Sequence, residues 1–294
     1  MSDPSSLIQQ AEKLTKPQSG FFSMFSGSSS SYRLEEATDL YVQAANQYRL
    51  KKDFERAGQQ FVKAADLQKS LSNHNDVANH LIEAYKCYKG VNVQGAIEAL
   101  SQAIHIFLTQ NGQFRRAANF TLDLGELYES NGDVPNAISS YEKAGDYFDT
   151  DHAEALSNKA YLKCADLSAL QGDYKRAVEL YEKIIKNSLG NNLTKWNLKD
   201  YFLKTLLCVL CQDDLIEAQK KCENFSTEEP TWSTTREYKL IQDIFDAMDQ
   251  GDVQAFSDRV FEYDQFSKLD KLKTQLLLKI KGSVDKDDDE MDLL

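Results

Sequence analysis

The chain is 294 residues long and 41% hydrophobic, so it can bury a sizeable core, and with only 13 Gly and 4 Pro it can keep most of its length in helices. It carries 46 acidic against 34 basic side chains, and this formal charge of −12 argues against a nucleic-acid partner, because a phosphate backbone would be repelled. Neither a run of about 18 uncharged apolar residues nor a secretory signal pattern occurs, so we expect a cytoplasmic protein without a transmembrane helix.

A first helix is predicted over residues 1–16. Asp3 can cap it, Pro4 suits its first turn, and Pro17 would end it, because proline cannot continue the hydrogen bonds of a helix. The next segment, residues 17–32, is rich in Gly and Ser and has no amphipathic period, so we predict a flexible loop.

This loop holds four large apolar side chains, those of Phe21, Phe22, Met24 and Phe25. They could pack back onto the first helices as a satellite core, or they could contact a membrane or a partner. If all four entered lipid, burial of their apolar surface would favour membrane binding by on the order of 6 kcal/mol, at ~1.5 to 3 kcal/mol per side chain. A contact of that size resembles one lipid chain and is reversible, which would make the protein peripherally associated with membranes.

Residues 33–225 contain a repeat. An alanine followed four residues later by an aromatic residue or leucine occurs at Ala57, Ala96, Ala137 and Ala177, with spacings of 39, 41 and 40 residues. Twelve residues before each of these alanines stands another small residue: Ala45, Ala84, Gly125 and Ala165. Each unit is therefore predicted to be two helices whose small residues allow a close approach, with the aromatic side chain filling a groove between units.

Turn residues precede the second helix of each unit, as in Gly132-Asp133 and Gly172-Asp173, and a weaker fifth copy begins at Ala218. This arrangement is typical of tetratricopeptide repeats, although those units have about 34 residues and these have about 40. We predict an all-α fold, a tetratricopeptide-like right-handed superhelix of long helical hairpins capped by a C-terminal helical bundle. Such folds present extended surfaces for binding other proteins.

The C-terminal bundle is predicted over residues 226–283, with helices at 236–248, 253–263 and 269–280. Gly282 can end the last helix. Residues 284–294 form an acidic tail that is too charged to pack and is expected to be disordered until it binds a partner. The tail ends in Leu293 and Leu294, which are either a functionless terminus or a plug for a pocket on a basic partner.

Several segments resemble one protein family, the soluble NSF attachment proteins of the alpha type. They are the aromatic loop, the long repeats, residues 157–163 (SNKAYLK), residues 198–204 (LKDYFLK), residues 233–237 (STTRE) and the acidic Asp-Leu-Leu end. The resemblance spans nearly the whole chain, and Lys-Asp-Tyr-Phe and the acidic dileucine end are its most specific parts.

The resemblance implies an adaptor that lies along a four-helix SNARE bundle and recruits the hexameric ATPase NSF, which pulls the bundle apart. Because such a bundle is largely acidic, lysine and arginine side chains would contact it. The bundle-contacting positions carried over by motif are Lys159, Lys163, Lys204 and Arg236. A further basic position of the family is Asn119 here, and Arg115 and Arg116 just before it are candidates to compensate.

The resemblance also implies an ATPase-recruiting surface. It consists of acids in the C-terminal part together with the final leucines: Asp213, Asp246, Asp249, Leu293 and Leu294. These residues would dock the ATPase electrostatically and stimulate disassembly.

Two other classes of function compete with the adaptor. An enzyme is disfavoured, because the chain has no glycine-rich phosphate loop, no HExxH pair and no histidines at metal-ligand spacing, and we expect no cofactor. Cys208 and Cys211 have CxxC spacing but lie in an apolar helical run, which favours reduced core cysteines. The second alternative is a tetratricopeptide-type receptor for short peptide tails.

Overall fold

The computed structural model describes residues 3–16, 27–110, 112–190 and 195–291, and their side chains except at 27–29 and 285–291. Within these ranges the chain forms fourteen α-helices and two short 3-10 helices, and no strand. The predicted all-α, tetratricopeptide-like fold is confirmed. In the same ranges no helix combines the length and apolar content needed to span a bilayer. The chain divides into two compact units, Met1–His152 and Ala153–Leu294.

The first unit is an N-terminal helix followed by three helical hairpins. Its helices are α1 Pro4–Thr15, α2 Gly27–Leu50, α3 Phe54–Ser70, α4 His74–Tyr88, α5 Val93–Thr109, α6 Phe114–Ser130 and α7 Val134–Thr150. α1 packs on α2 through a small core that includes Ala11, Ala37 and Tyr41. The hairpins α2–α3, α4–α5 and α6–α7 are the first three predicted repeats.

The turns inside the first and third hairpins share one capping arrangement. Asp53 and Asp133 each cap the second helix of a hairpin by accepting a hydrogen bond from the backbone N–H three residues later, at 3.1 and 3.3 Å. The residue before each cap has a positive φ, 61° at Lys52 and 79° at Gly132. Such a turn gives hydrogen-bond partners to backbone groups at the end of one helix and caps the start of the next. This shared turn explains the regular repeat length.

Small residues occupy the helix contacts, as predicted. Ala45, Ala57, Ala84 and Ala96 are fully buried. In the third hairpin Gly125 of α6 faces the ring of Tyr141 on α7, and a Cβ at this glycine would come within 2.7 Å of the ring. The ring cannot easily move, because Tyr141 is fully buried and its hydroxyl donates a 2.6 Å hydrogen bond to Glu129.

We expect Gly125→Ala to destabilise the protein by about 1–2 kcal/mol. Overpacking lowers the free energy of unfolding by roughly 1–3 kcal/mol, whereas the higher helix propensity of alanine raises it by only about 1 kcal/mol. Gly90→Ala is the matched control, because a Cβ there meets nothing within 4 Å. Urea unfolding followed by circular dichroism measures both variants. A Gly125→Ala midpoint equal to that of the wild type would show that the close approach is not needed.

The second unit contains three further hairpins and a final helix. Its helices are α8 Glu154–Leu170, α9 Tyr174–Leu189, α10 Leu198–Leu210, α11 Leu215–Glu228, α12 Arg236–Asp249, α13 Val253–Phe266 and α14 Lys271–Met291, with 3-10 helices at Lys195–Asn197 and Pro230–Thr234. α8–α9 is the fourth predicted repeat. The weaker fifth repeat corresponds to α10–α11, in which Ala218, Cys222 and Phe225 are buried.

α10 is the central helix of this unit. It contacts α9, α11, α12 and α14, and almost all of its side chains are buried. Phe202 stacks on Phe225 with ring centroids 4.3 Å apart and meets the edge of Trp232 at 5.3 Å. The surroundings of α10 therefore fix which of its few polar side chains reach the surface.

Two predicted boundaries differ from the structure. α2 begins at Gly27, inside the predicted loop 17–32, because a run of serines is compatible with the first turn of a helix. α14 passes through Gly282 and continues to Met291, inside the tail that was predicted to be disordered. A helix that is already formed gains one backbone hydrogen bond for each residue added, so polar residues can extend it.

Candidate partner-binding surfaces

α8 carries two of the predicted contact residues in its first half and middle. Lys159 is exposed and Lys163 is partly buried one turn later on the same side of the helix. The start of α8 is held against the end of α9 by a 3.0 Å hydrogen bond from Asn187 to Asn158. Lys159 therefore follows a residue of α8 that is held in place, and Lys163 lies near the middle of the same helix.

Lys204 does not lie at the surface, and its prediction as a surface cation is wrong. The residue is 5% exposed, and its Nζ lies 3.1 Å from Asp166 on α8 and 3.4 Å from Asp200 on α10. Burial would lower the pKa of Lys204, but the two carboxylates outweigh it and the pKa is raised. The side chain joins two helices and remains charged.

This ionic network extends to the last helix. Lys273 of α14 contacts Asp200 at 2.5 Å and Asp270 at 3.1 Å. Burial opposes the charged form of Lys273, yet its hydrogen bond to Asp200 and the neighbouring charges raise its pKa to about 12. Tyr181 of α9 donates a 2.6 Å hydrogen bond to Asp166. The network thus connects α8, α9, α10 and α14 within the second unit.

We expect Lys204→Met to destabilise the protein by roughly 2 kcal/mol. The substitution leaves Asp166 without its cation, and breaking a buried pair typically costs about 3–5 kcal/mol. The effect is smaller here, because a third of the Asp166 side chain is exposed. Lys220→Met on α11 is the control and should change stability by less than about 1 kcal/mol, because Lys220 and its partner Glu217 form an exposed pair. Equal denaturation midpoints for the two variants would contradict this assignment.

The sequence reasoning missed two exposed residues beside α10. Lys199 in its first turn has a 52% exposed side chain, and its Nζ lies 3.1 Å from Glu237 on α12. Trp196, in the preceding 3-10 helix, is 79% exposed. Lys199 belongs to the same motif as Lys204, and an isolated tryptophan outside any apolar period was an available signal for a contact residue.

Several cations of the second unit lie on adjacent helices. Lys204 of α10 pairs with Asp166 of α8, the helix that carries Lys159 and Lys163, so these two helices are adjacent. The contact between Lys199 and Glu237 brings the start of α10 to the start of α12. Arg236, in the first turn of α12, is exposed and stacks over Phe266 at 5.1 Å from the ring centroid. We call Lys159, Lys163, Trp196, Lys199 and Arg236 the cationic edge.

In the first unit Arg115 and Arg116 begin α6. Arg115 is exposed and forms an ion pair with Asp151, and Arg116 lies over Phe107 at 4.3 Å and donates to Asn79 at 3.0 Å. Asn119 donates to the carbonyl of Arg115 at 2.9 Å. Exposed pairs of this kind contribute little stability, so Arg115 can exchange its partner at small cost. Compensation for Asn119 stays a prediction.

The three predicted ATPase-recruiting acids that the structure describes lie at one end of α11 and α12. Asp213 is in the turn before α11, and Asp246 and Asp249 are in the last turn of α12; all three are exposed. Gln219, near the start of α11, donates to Asp249 at 3.4 Å, which brings these helix ends together. The acids therefore form one anionic surface, which we call the acidic end.

The remaining predicted contact residues lie outside the described residues. They are Phe21, Phe22, Met24 and Phe25 of the aromatic segment, and Leu293 and Leu294 at the end of the chain. Their roles stay predictions.

The five cysteines are all buried, which confirms the prediction of core thiols. Burial raises the pKa of Cys208, and it raises the pKa of Cys211 to about 12. A thiol with such a pKa is almost entirely protonated at neutral pH and is a poor nucleophile or metal ligand. Within the described ranges no group of three His, Cys, Asp or Glu side chains is placed to hold a metal ion.

Comparison with known proteins gives one consistent result. The family model described as "Soluble NSF attachment protein, SNAP" matches residues 2–285. The alpha-soluble NSF attachment protein of Saccharomyces cerevisiae is 46% identical over 293 residues, 99% of this chain and 100% of that protein. The vesicular-fusion protein SEC17 of Komagataella phaffii is 46% identical over 292 residues, 98% of both chains. The human alpha-soluble NSF attachment protein is 34% identical over 287 residues, 97% of this chain and 96% of that protein.

Proposed function

The chain belongs to the soluble NSF attachment protein family, and on this basis we propose that it is an adaptor that binds assembled SNARE bundles and recruits an NSF-type ATPase to them. Its relatives are named as attachment and vesicular-fusion proteins, so its role lies in vesicle fusion and it is not an enzyme. The observation that best supports the proposal is the separation of two surfaces of opposite charge within the second unit.

The positive charge of the cationic edge is complementary to an acidic SNARE bundle. Lys199 and Arg236 lie in the first turns of α10 and α12, and Lys159 lies in the second turn of α8, so their long side chains can contact an elongated acidic partner. Trp196 adds a large apolar contact of the kind that often dominates interface energies. Lys204 acts indirectly in this proposal, because it fixes α10 relative to α8.

The negative charge of the acidic end is complementary to a basic docking surface on the ATPase. Asp213, Asp246 and Asp249 lie on helix ends of the same unit and would attract a basic docking surface. We place Leu293 and Leu294 in the same role as apolar contacts that follow electrostatic docking. Through these two surfaces the adaptor would bring a bundle and the ATPase together.

A reconstituted disassembly reaction tests the proposal. Purified SNARE bundle, NSF-type ATPase and ATP are incubated with and without this chain, and release of single SNARE helices is followed by loss of fluorescence transfer. We expect disassembly to depend on the chain and to saturate with its concentration. Disassembly at the same rate without the chain would refute the proposal.

The aromatic segment is proposed to contact a membrane as an auxiliary site. We expect the double change Phe21→Ser and Phe22→Ser to reduce disassembly of liposome-anchored bundles several-fold, because apolar burial of ~1.5 to 3 kcal/mol per side chain is lost. The same variant should work nearly normally on detergent-solubilised bundles, where the adaptor is not concentrated at a lipid surface. Equal loss in the two settings would contradict lipid contact.

A further inference from the structure

A surface cavity of about 240 Å³ lies between α12 and α13, beside Arg236 of the cationic edge. Its lining includes three cations, two acids and an aromatic ring: Arg236, Lys239, Arg259, Asp243, Glu262 and Phe266. A cavity of this size can admit a carboxylate side chain together with water, since one water takes roughly 30 Å³ of liquid volume.

Glu262 holds two of the three cations. Its Oε1 lies 3.7 Å from Nζ of Lys239, and its Oε2 lies 3.2 Å from Nη1 of Arg259. The side chains of all three residues are about half exposed or more. The ion pairs are therefore solvated and weak, and another carboxylate could take the place of Glu262 at small cost.

We propose that Glu262 is an internal counter-anion that limits the affinity of this cavity for an acidic side chain of the bound helical bundle. In the free protein its carboxylate pairs with Lys239 and Arg259 and offsets part of their positive charge. In the complex a carboxylate of the partner takes up these cations next to Arg236. The inference rests on the proposed function and adds a residue that sets the strength of binding at the same surface.

Two features favour an acidic helical partner as the occupant. The cavity adjoins Arg236, so it continues the cationic edge that is proposed to meet the bundle. Two of its cations also lie one turn apart on α12, with Lys239 three residues after Arg236, and Arg259 faces them from α13. Carboxylates repeating at helical spacing on a partner would match this arrangement.

Glu262→Gln tests the proposal, because it keeps the size of the side chain and removes its charge. The control is Asp258→Asn, one turn earlier on α13, where the carboxylate accepts a 2.8 Å hydrogen bond from Gln254 and does not line the cavity. Both changes raise the net charge by one. Affinity for purified, assembled SNARE bundle is measured by fluorescence anisotropy at low and at high salt.

We expect Glu262→Gln to bind about three- to tenfold more tightly than the wild type at low salt, and Asp258→Asn to differ by less than about twofold. The gain should shrink as salt screens the cations. Arg259→Gln should have little effect in the wild type, where Glu262 pairs with Arg259, and should remove most of the gain in the Glu262→Gln background.

Three results would overturn the inference: equal affinities of the Glu262→Gln and Asp258→Asn variants, a gain that is insensitive to salt, or an Arg259→Gln effect that is the same in both backgrounds. In each case the wild type still binds the bundle, so the proposed function stands. If the wild type does not bind, the proposed function fails and this inference fails with it. Thermal unfolding of the variants should be unchanged, because exposed ion pairs contribute little to stability.

Discussion

Charge reversal at Lys159, Lys163 and Lys199 should abolish measurable binding to an assembled SNARE bundle. Replacing all three with glutamate changes the charge of the cationic edge by six and puts acids opposite an acidic partner. If each reversed contact costs about 1 kcal/mol, the affinity falls by roughly 100-fold or more. Fluorescence anisotropy with labelled bundle at about 0.15 M salt measures the loss.

The matched control reverses three lysines elsewhere in the second unit. Lys186, Lys220 and Lys268 are exposed and lie outside the cationic edge and the acidic end. Their triple replacement by glutamate changes the net charge by the same amount and should weaken binding only through long-range repulsion, which salt screens. Comparable losses in the two triple variants would show that net charge, and not this surface, governs binding.

Removal of Leu293 and Leu294 should leave bundle binding intact and abolish stimulation of disassembly. The two leucines follow an acidic segment, and their burial in a pocket of the ATPase would supply about 1.5 to 3 kcal/mol each. Without them the acidic end could still attract the ATPase, but the docked state would be short-lived. Bundle binding and ATP-dependent disassembly are measured on the same preparation.

Replacing the two leucines with serines separates their apolar character from the length of the chain. The serine variant should behave like the truncation, because it keeps the length and removes the apolar surface. Undiminished disassembly by either variant would show that the terminus is functionless, which was the alternative interpretation of the sequence.

The sequence predicted the helical hairpins well because their cause is local. One pattern recurs at nearly constant spacing: a small residue, an alanine twelve positions later, and an aromatic residue or leucine four positions after that. Each hairpin can therefore be predicted without knowledge of the elements that surround it. The capping aspartates work in the same way, since their partners lie three residues away. Short-range contacts are those that a single sequence reveals most directly.

The prediction for Lys204 failed because its partners are distant in the sequence. Asp166 lies 38 residues before it, and Asp200 is shared with Lys273, which lies on a helix near the end of the chain. Nothing in the local pattern of α10 distinguishes Lys204 from Lys199, five residues earlier on the same helix. Only the packing of α8 and α14 around α10 decides which lysine is exposed.

Trp196 was missed for a different reason. It lies in a short 3-10 helix between two hairpins, where apolar periodicity gives no information about exposure. Boundaries were similarly hard to predict at α2 and α14, because serine-rich and charged segments can be helical or irregular without a change in apolar pattern. The exposure of Trp196 and the ends of these two helices can be determined only from a structure.

Binding to assembled bundles at moderate salt tests the central claim most directly. The chain is titrated against labelled four-helix SNARE bundle, against each single SNARE helix and against a short peptide tail, all at about 0.15 M salt. The adaptor account predicts saturable binding to the bundle and little binding to single helices or the peptide. A tetratricopeptide-type peptide receptor would show the opposite preference, and failure to bind the assembled bundle would contradict the account.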